Sequence, residues 1–268
     1  VTDDAPDAAE RRLADALRGY GRVLVAFSGG VDSAVVLAVA QKALGDHVVA
    51  LTGEGPTFPP EEAAIARDIV AKLGVRHVVV DTRELENEAY ARNNGDRCYH
   101  CKTELFGHAE RVRDELGFDV VVDGTVLDDL GDTRPGLRAA AERGVRHPLV
   151  EAGLHKVDVR AIARAFDLPV WDKPSFACLG SRFPVGTRVN LEDLRRVARA
   201  ESALRRLGLR RVRVRLHSLG DDRLARVEVD PDEIAAAAAL ADVVSAACLD
   251  AGFRWATLDL VGYRGSTA

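Results

Sequence analysis

The chain contains no methionine, not even at position 1. No run of 18 or more apolar residues occurs in the sequence, which excludes a membrane-spanning helix. The opening V-T-D-D-A-P-D-A-A-E lacks the basic and then apolar stretches of a signal peptide, and the protein is expected in the cytoplasm. Positive charge is not in excess: 37 Lys and Arg against 42 Asp and Glu give a formal net charge of -5. That argues against a protein that holds long nucleic acid by charge alone, although Arg205 to Arg215 is locally basic. Only four cysteines are present in 268 residues, too few for a disulfide framework. In a reducing compartment such cysteines are ligands, nucleophiles or buried packing residues.

With 47% hydrophobic and 29% charged residues, the chain can bury a core and stay soluble, as one large domain or two modest ones. Residues 7–19 read as an amphipathic helix that Gly19 stops. V-L-V-A-F (23–27), V-V-A-L-T (48–52), H-V-V-V-D (77–81) and D-V-V-V-D-G (119–124) read as buried strands. Helices are expected at 34–44, at 60–73 behind Pro59 and Pro60, at 101–116 and at 155–166, with 82–98 irregular and a polar loop after residue 124. Strands alternating with helices predict an α/β fold with a doubly wound parallel sheet. The pattern changes after about residue 186. A helix at 191–207, a hairpin of R-V-R-V-R-L-H (211–217) and L-A-R-V-E-V (224–229) with one wet face, an alanine-rich helix at 232–249 and a strand at 255–260 predict a smaller α+β domain. The expected boundaries are an N-terminal helix at 1–20, the α/β domain at 21–186 and the C-terminal domain at 187–268.

The most informative segment is S-G-G-V-D-S (28–33), between a buried strand and a helix. Gly29 and Gly30 permit a tight turn that aims successive N–H groups at one point. Ser28 and Ser33 add hydroxyls, and the helix start favours an anion. Asp32 beside such a site suggests a Mg²⁺ bridge. The loop has no Walker lysine and does not fit G-x-G-x-x-G. An ordinary strand-to-helix turn is the alternative. The six residues together are the signature of the PP-loop ATP pyrophosphatases, whose members transfer AMP to an acceptor oxygen and release pyrophosphate.

Cys98 and Cys101 form C-Y-H-C, and Cys178 stands in K-P-S-F-A-C-L-G-S-R. A C-x-x-C pair with a third cysteine can hold a 4Fe–4S cube with one iron open. Zinc, with His100 or His108 as fourth ligand, and metal-free thiols are the alternatives. Cys248, within A-A-C-L, is expected to be packing.

R-C-Y-H-C-K (97–102), D-G-T-V-L-D-D (123–129), R-P-G-L-R-A (134–139), K-P-S-F-A-C-L-G-S-R-F-P-V-G-T (173–187), V-R-V-R-L-H (212–217), L-A-R-V-E-V (224–229) and T-L-D-L-V-G-Y-R (257–264) resemble the LarE family of ATP-dependent sulfur transferases. The resemblance spans roughly residues 20–265. It implies ATP as cosubstrate, with Mg²⁺. Adenylation of the carboxylates of pyridinium-3,5-biscarboxylic acid mononucleotide and their conversion to thiocarboxylates would follow, for nickel-pincer nucleotide and lactate racemase maturation. Cys178 would attack the adenylate and lose its sulfur as dehydroalanine. In another branch, Cys98, Cys101 and Cys178 hold a 4Fe–4S cluster, and the three cysteines here point to that branch.

The resemblance also implies that Ser28, Gly29, Gly30, Asp32, Ser33, Gly124 and Thr125 hold ATP. Ser181, Arg182, Arg213, Arg215 and Arg264 would bind the substrate's phosphate or carboxylates. Glu201 and Glu228 would stand near the active cysteine. For the arginines of the strand, a solvated face is the alternative, and Asp128 and Asp129 could be caps. Members of the family are homo-oligomers, a hexamer among them, and no stable nucleic-acid or membrane partner is implied. Two departures stand out: Val185 replaces a usual tyrosine, and the terminal Y-R-G-S-T alters the usual pattern. A PP-loop tRNA thiolation enzyme, an amidating ligase of the same superfamily and a nucleotide-binding protein without catalysis are the rival readings.

Overall fold

The structure, a computed structural model, describes residues 4–131, 135–174 and 177–264. Arg134, Ser175, Phe176 and the last four residues, parts of three motifs named above, lie outside the described residues.

The helices and strands alternate through the first half: α1 (Asp4–Arg18), β1 (Val23–Ala26), α2 (Val31–Leu44), β2 (Val48–Glu54), α3 (Pro60–Leu73) and β3 (Arg76–Asp81). Then come α4 (Glu88–Arg92), α5 (Arg97–Leu116), β4 (Val120–Val122), α6 (Pro135–Glu142), α7 (Pro148–Glu151) and α8 (Lys156–Ala165). The remainder holds α9 (Leu191–Arg206), β5 (Arg213–Leu219), β6 (Asp222–Glu228), α10 (Ile234–Ala239), α11 (Ala241–Asp250) and β7 (Trp255–Leu258). Contacts divide the chain into two units, residues 1–82 with 98–176, and residues 83–97 with 177–268.

In the first unit the sheet order is β3-β2-β1-β4, all parallel. Every residue of β1 is buried, because helices cover both faces of the sheet. Val23, Val25 and Phe27 face the core shared with α1, α2 and α8, while Leu24 and Ala26 face Phe106 and Ala109 of α5. This is the expected doubly wound fold. After β1 the chain adds β2 on one side, and it later returns to place β4 on the other. The carboxyl ends of β1 and β4 therefore flank a topological switch point, where open α/β sheets bind ligands.

In the second unit β5 and β6 form an antiparallel hairpin and β7 runs parallel to β6. Val214, Leu216, Ala225 and Val227 are fully buried on one face. The other face is not wet, as the alternation of charge had suggested: Arg213 and Glu228 are buried there and Arg215 is largely so. Those charges pair with one another and with the segment around Ser181, which is why burial is tolerated.

The expected boundary at 186/187 differs from the unit boundary at 176/177, because Leu179–Arg182 packs with α9 and β5. Residues 83–97 also join the second unit: Asn93 Nδ2 donates to the carbonyls of Pro184 and Thr187. Segment 82–98, expected to be irregular, contains α4, which the Asn87 side chain caps at Ala89 N. The polar stretch after 124 contains α6 and α7. The alanine-rich helix is broken at Leu240 into α10 and α11. No helix among the described residues is long and apolar enough to cross a membrane.

Candidate active site

Most of the residues singled out in the sequence lie in two clusters, one in each unit.

The first lies at the carboxyl ends of β1 and β4. Gly29 adopts φ +72, open to glycine at little cost, and a Cβ there would stand 3.2 Å from the Ala66 Cβ of α3. Gly30 caps α2, so Asp32 and Ser33 already sit in the helix's first turn rather than in the loop expected up to residue 33. The Ser33 hydroxyl accepts from Ser28 N at 3.2 Å and donates to Gly30 O at 3.1 Å, closing the loop on itself. The Ser28 and Ser33 hydroxyls are 3.2 Å apart. Opposite, a Cβ on Gly124 would come within 2.6 Å of Ser33 N. The turn after β4 thus rests on the backbone of the α2 start, and only glycine fits. Thr125 N donates to Asp123 Oδ1, which also meets His147 Nδ1 at 2.7 Å. Burial alone would raise the Asp123 carboxyl; the His147 hydrogen bond and Lys102 outweigh it and hold the group below the usual carboxylate range. Ser28, Gly29, Gly30, Asp32, Ser33, Gly124 and Thr125 are therefore gathered at one helix start, where backbone N–H groups and the helix dipole favour an anion.

Asp32 is the exception to that positive field. Its Oδ2 accepts from Lys156 Nζ of α8, and its buried Oδ1 has no hydrogen-bond partner. Burial pushes the Asp32 carboxyl above the usual carboxylate range, against the pull of Lys156.

The second cluster surrounds Cys178. Cys178 is partly exposed and precedes a single 3₁₀ turn, Leu179–Arg182. Its carbonyl accepts from Ser181 N at 3.0 Å, from the Ser181 hydroxyl at 2.8 Å and from Arg182 Nη1 at 3.1 Å. Arg182 is fully buried and forms a bidentate pair with Glu201, at 2.7 and 3.0 Å. Its Nη1 reaches Ala177 O and the Ser181 hydroxyl as well. The side chain expected to hold a phosphate or carboxylate is thus engaged in fixing the cysteine's own turn.

Glu201 follows Leu194, Val197 and Ala200 on the buried stripe of α9, a position that forces a carboxylate to be paired. It also accepts from Arg205 Nη2 at 2.7 Å and from Val214 N at 3.0 Å. Burial would raise its carboxyl, but Arg182 leads the groups that hold it below the usual range. Arg215 donates to Glu228 at 3.0 Å and to Ser181 O at 2.7 Å. Arg213 is buried with its guanidinium 5.5 Å from the Tyr263 ring. Burial, and then the neighbouring Arg182, pushes its pKa down to about 10. Arg226 links Glu228, Asp259 and His217 on the same face. Arg264 is exposed at the end of the described residues. In this cluster Arg182, Arg205, Arg213, Arg215 and Arg226 outnumber Glu201, Glu228 and Asp259, so the network carries surplus positive charge. Gly180 has no room for a side chain: a Cβ would lie 2.6 Å from the Tyr90 hydroxyl.

Cys98 and Cys101 occupy the first turn of α5, three residues apart and so on one helix face, with Cys98 exposed. Among the described residues no three His, Cys, Asp or Glu side chains converge as a metal-ligand set. Cys248 is fully buried, and burial pushes its thiol up to about 11, as suits a packing residue.

The asparagine synthase family matches residues 7–125, the part that carries the glycine loop. An uncharacterized protein of Synechocystis sp. is 44% identical, over 91% of this chain and 90% of its own. The pyridinium-3,5-bisthiocarboxylic acid mononucleotide synthase of Lactiplantibacillus plantarum is 36% identical, over 94% of this chain and 90% of that enzyme. The chain belongs to this synthase family, LarE. Within the wider PP-loop group, the tRNA-specific 2-thiouridylase MnmA of Azorhizobium caulinodans is 32% identical, over 57% of this chain and 49% of its own.

Two residues beside these LarE motifs escape sequence reasoning: Lys156 and Arg205. Lys156 had a signal. A lysine at the first position of a helix opposes the helix dipole, so its ammonium is held there by something else. Arg205 was legible only as the start of a locally basic stretch, since its i, i+4 partner Glu201 reads as an ordinary helix pair.

Proposed function

We propose that the protein uses ATP to activate the carboxylates of pyridinium-3,5-biscarboxylic acid mononucleotide and replaces an oxygen of each with sulfur. The observation that carries this reading is the extent of the likeness to the L. plantarum synthase. It runs through 94% of the chain, including the Cys178 turn and the arginine face, whereas the likeness to the tRNA thiolase covers 57%.

In the first step a substrate carboxylate oxygen attacks the α-phosphorus of ATP and pyrophosphate leaves. The N–H groups of the Ser28–Ser33 loop and the start of α2 are suited to the growing charge on pyrophosphate. Gly124 lets the turn after β4 approach close enough to line the same site. Mg²⁺ fits the free Oδ1 of Asp32 and would neutralise phosphate charge there.

In the second step the Cys178 thiolate attacks the carbonyl carbon of the acyl adenylate and AMP leaves with the oxygen, giving a thioester. A base removes the Cys178 α-proton, the Cβ–S bond breaks with its electrons going to sulfur, and a thiocarboxylate and dehydroalanine result. Ser181 and Arg182 hold the Cys178 carbonyl while this happens, and Arg213 and Arg215 receive the substrate's phosphate. In the cluster branch, Cys98, Cys101 and Cys178 would together hold a 4Fe–4S cluster, which would supply the sulfur in place of the Cys178 side chain. Assembly into homo-oligomers is part of the proposal and is supported by the resemblance to the family alone.

ATP–pyrophosphate exchange tests the reading. Exchange is expected with the dicarboxylate mononucleotide and not with tRNA; the reverse pattern would overturn it in favour of a tRNA thiolation enzyme. After turnover, mass spectrometry is expected to find Cys178 lighter by the mass of H₂S. An intact Cys178, with iron and acid-labile sulfide in anaerobically purified protein, would assign the sulfur step to the cluster branch instead.

A further inference from the structure

Three arginines at alternate positions, 211, 213 and 215, are held in different ways. Arg211 Nη1 meets Asp230 at 3.1 Å, and Arg215 meets Glu228 at 3.0 Å and Ser181 O at 2.7 Å. The Arg213 guanidinium carbon lies 5.5 Å from the ring centroid of Tyr263, and that of Arg211 lies 5.1 Å from the same ring. Both distances are inside the range of about 6 Å over which a ring attracts a cation. We infer that Tyr263 is a positioning residue for the substrate's phosphate: its ring steadies the Arg213 guanidinium where that phosphate is received. The inference deepens the reading in which Arg213 takes the phosphate, and rests on it.

The ring is carried on a turn with little freedom. Tyr263 N donates to Val229 O at 2.8 Å, and Asp259 Oδ1 accepts from Val261 N at 2.9 Å and from Gly262 N at 3.2 Å. Gly262 adopts φ +75, and a Cβ there would stand 2.8 Å from Val229 O, so no other residue fits. Asp259 is itself gripped by Arg226 Nη1 at 2.6 Å. Arg213 needs such a fixed partner. It is buried, and burial and then Arg182 work against its positive charge; Glu201 and Tyr263 favour the charge, and Arg205 adds to the repulsion. Glu201 already accepts from Arg182, Arg205 and Val214 N. A guanidinium crowded by two others moves toward solvent unless something attracts it. The kind of attraction matters as well. A carboxylate partner would neutralise the guanidinium and occupy N–H groups in its plane. A ring attracts the cation through its π face and adds no charge, so it does not compete with an anion for those N–H groups. Arg182, paired with Glu201 on two nitrogens, shows the other arrangement, in which an arginine serves as structure.

Calorimetric titration of the full chain with the dicarboxylate mononucleotide, and with the corresponding nucleoside that lacks the phosphate, tests this. Tyr263→Leu is expected to weaken mononucleotide binding roughly 10-fold, the scale of a desolvated cation–π contact, and to leave nucleoside binding within about twofold. In ATP–pyrophosphate exchange the KM for the mononucleotide should rise by a similar factor, with kcat within about twofold. Tyr263→Phe keeps the ring and should match the unsubstituted protein within about twofold on each measure. Tyr263→Met keeps a bulky apolar side chain without a π face, and it replaces Tyr263→Leu if that variant does not fold. Unchanged mononucleotide binding, or equal losses for the two ligands, would overturn the inference. A Tyr263→Phe protein as impaired as Tyr263→Leu would overturn it too, because the hydroxyl rather than the ring would then be the working part. Arg213→Met separates the inference from the reading beneath it. A loss confined to the mononucleotide upholds Arg213 as the phosphate residue, so that a silent Tyr263→Leu then sinks the inference alone. Equal effects of Arg213→Met on both ligands would overturn that reading and the inference with it.

Discussion

The two clusters are built from different materials. At the glycine loop the working parts are backbone: N–H groups at the start of α2, shaped by Gly29 and by Gly124 pressed against Ser33 N. Around Cys178 they are side chains, and the cysteine's turn hangs on a buried Arg182–Glu201 pair that also ties α9 to β5 through Val214 N. A backbone site tolerates no added atom at its glycines. A side-chain site tolerates changes of shape better than the loss of one charge, because the partner is then left buried and unpaired.

The sharpest way to separate the two clusters is Cys178→Ser. Sulfur transfer should vanish, while ATP–pyrophosphate exchange with the dicarboxylate mononucleotide continues. Loss of both activities would mean that the cysteine serves the fold and that the clusters are not chemically distinct.

Glu201→Ala comes next. It strands Arg182 in a fully buried position and should cost about 3–5 kcal/mol in denaturant unfolding. Glu201→Gln, which keeps one acceptor for Val214 N, should cost less. Equal losses for the two would show that shape rather than charge governs this cluster.

Gly124→Ala is the counterpart at the loop. The new methyl group must displace the backbone at Ser33, an overpacking of about 1–3 kcal/mol. ATP affinity, read by titration, should fall, while sulfur transfer from a preformed acyl adenylate should be spared. An unchanged ATP affinity would break the claim that backbone closeness makes this site.

The smallest effect is expected from pH, at His217 in the side-chain cluster. Burial, followed by Arg226, lowers the pKa of His217 below its ordinary value, and its Nε2 accepts from Arg226 Nε. A histidine with a lowered folded value binds fewer protons folded than unfolded. Its contribution is therefore intact above the unfolded value of about 6.5 and is lost as pH falls below it. Urea midpoints measured between about pH 7.5 and 5.5 should drop more for the unsubstituted protein than for His217→Gln; parallel profiles would remove His217 from the network.

The same contrast explains what could be read in advance. S-G-G-V-D-S between V-L-V-A-F and an apolar helix announces its geometry, since glycine conformations and a helix start are local properties. The parallel pairing of β1 to β4 follows similarly from apolar runs that alternate with helices. The arginine face was harder. R-V-R-V-R-L-H correctly signals alternation, but alternation does not say what lies over the charged side. Only the turn at Ser181 and the carboxylates of Glu201 and Glu228 turn a face expected to be wet into a buried network. Arg182 and Lys156 were legible as motif members or helix positions, but not as partners of Glu201 and Asp32.

The sequence by itself determined the doubly wound sheet, the glycine loop at a helix start, the packing role of Cys248 and the membership of the family. Each depends on neighbours a few residues apart or on motifs spread along the chain. Tertiary structure alone decided that Gly124 touches Ser33, that Lys156 neutralises Asp32 and that Arg182 is engaged in holding the Cys178 turn. Those contacts join residues distant along the chain, and a buried charge reveals its partner only once folding has removed the water that would otherwise solvate it.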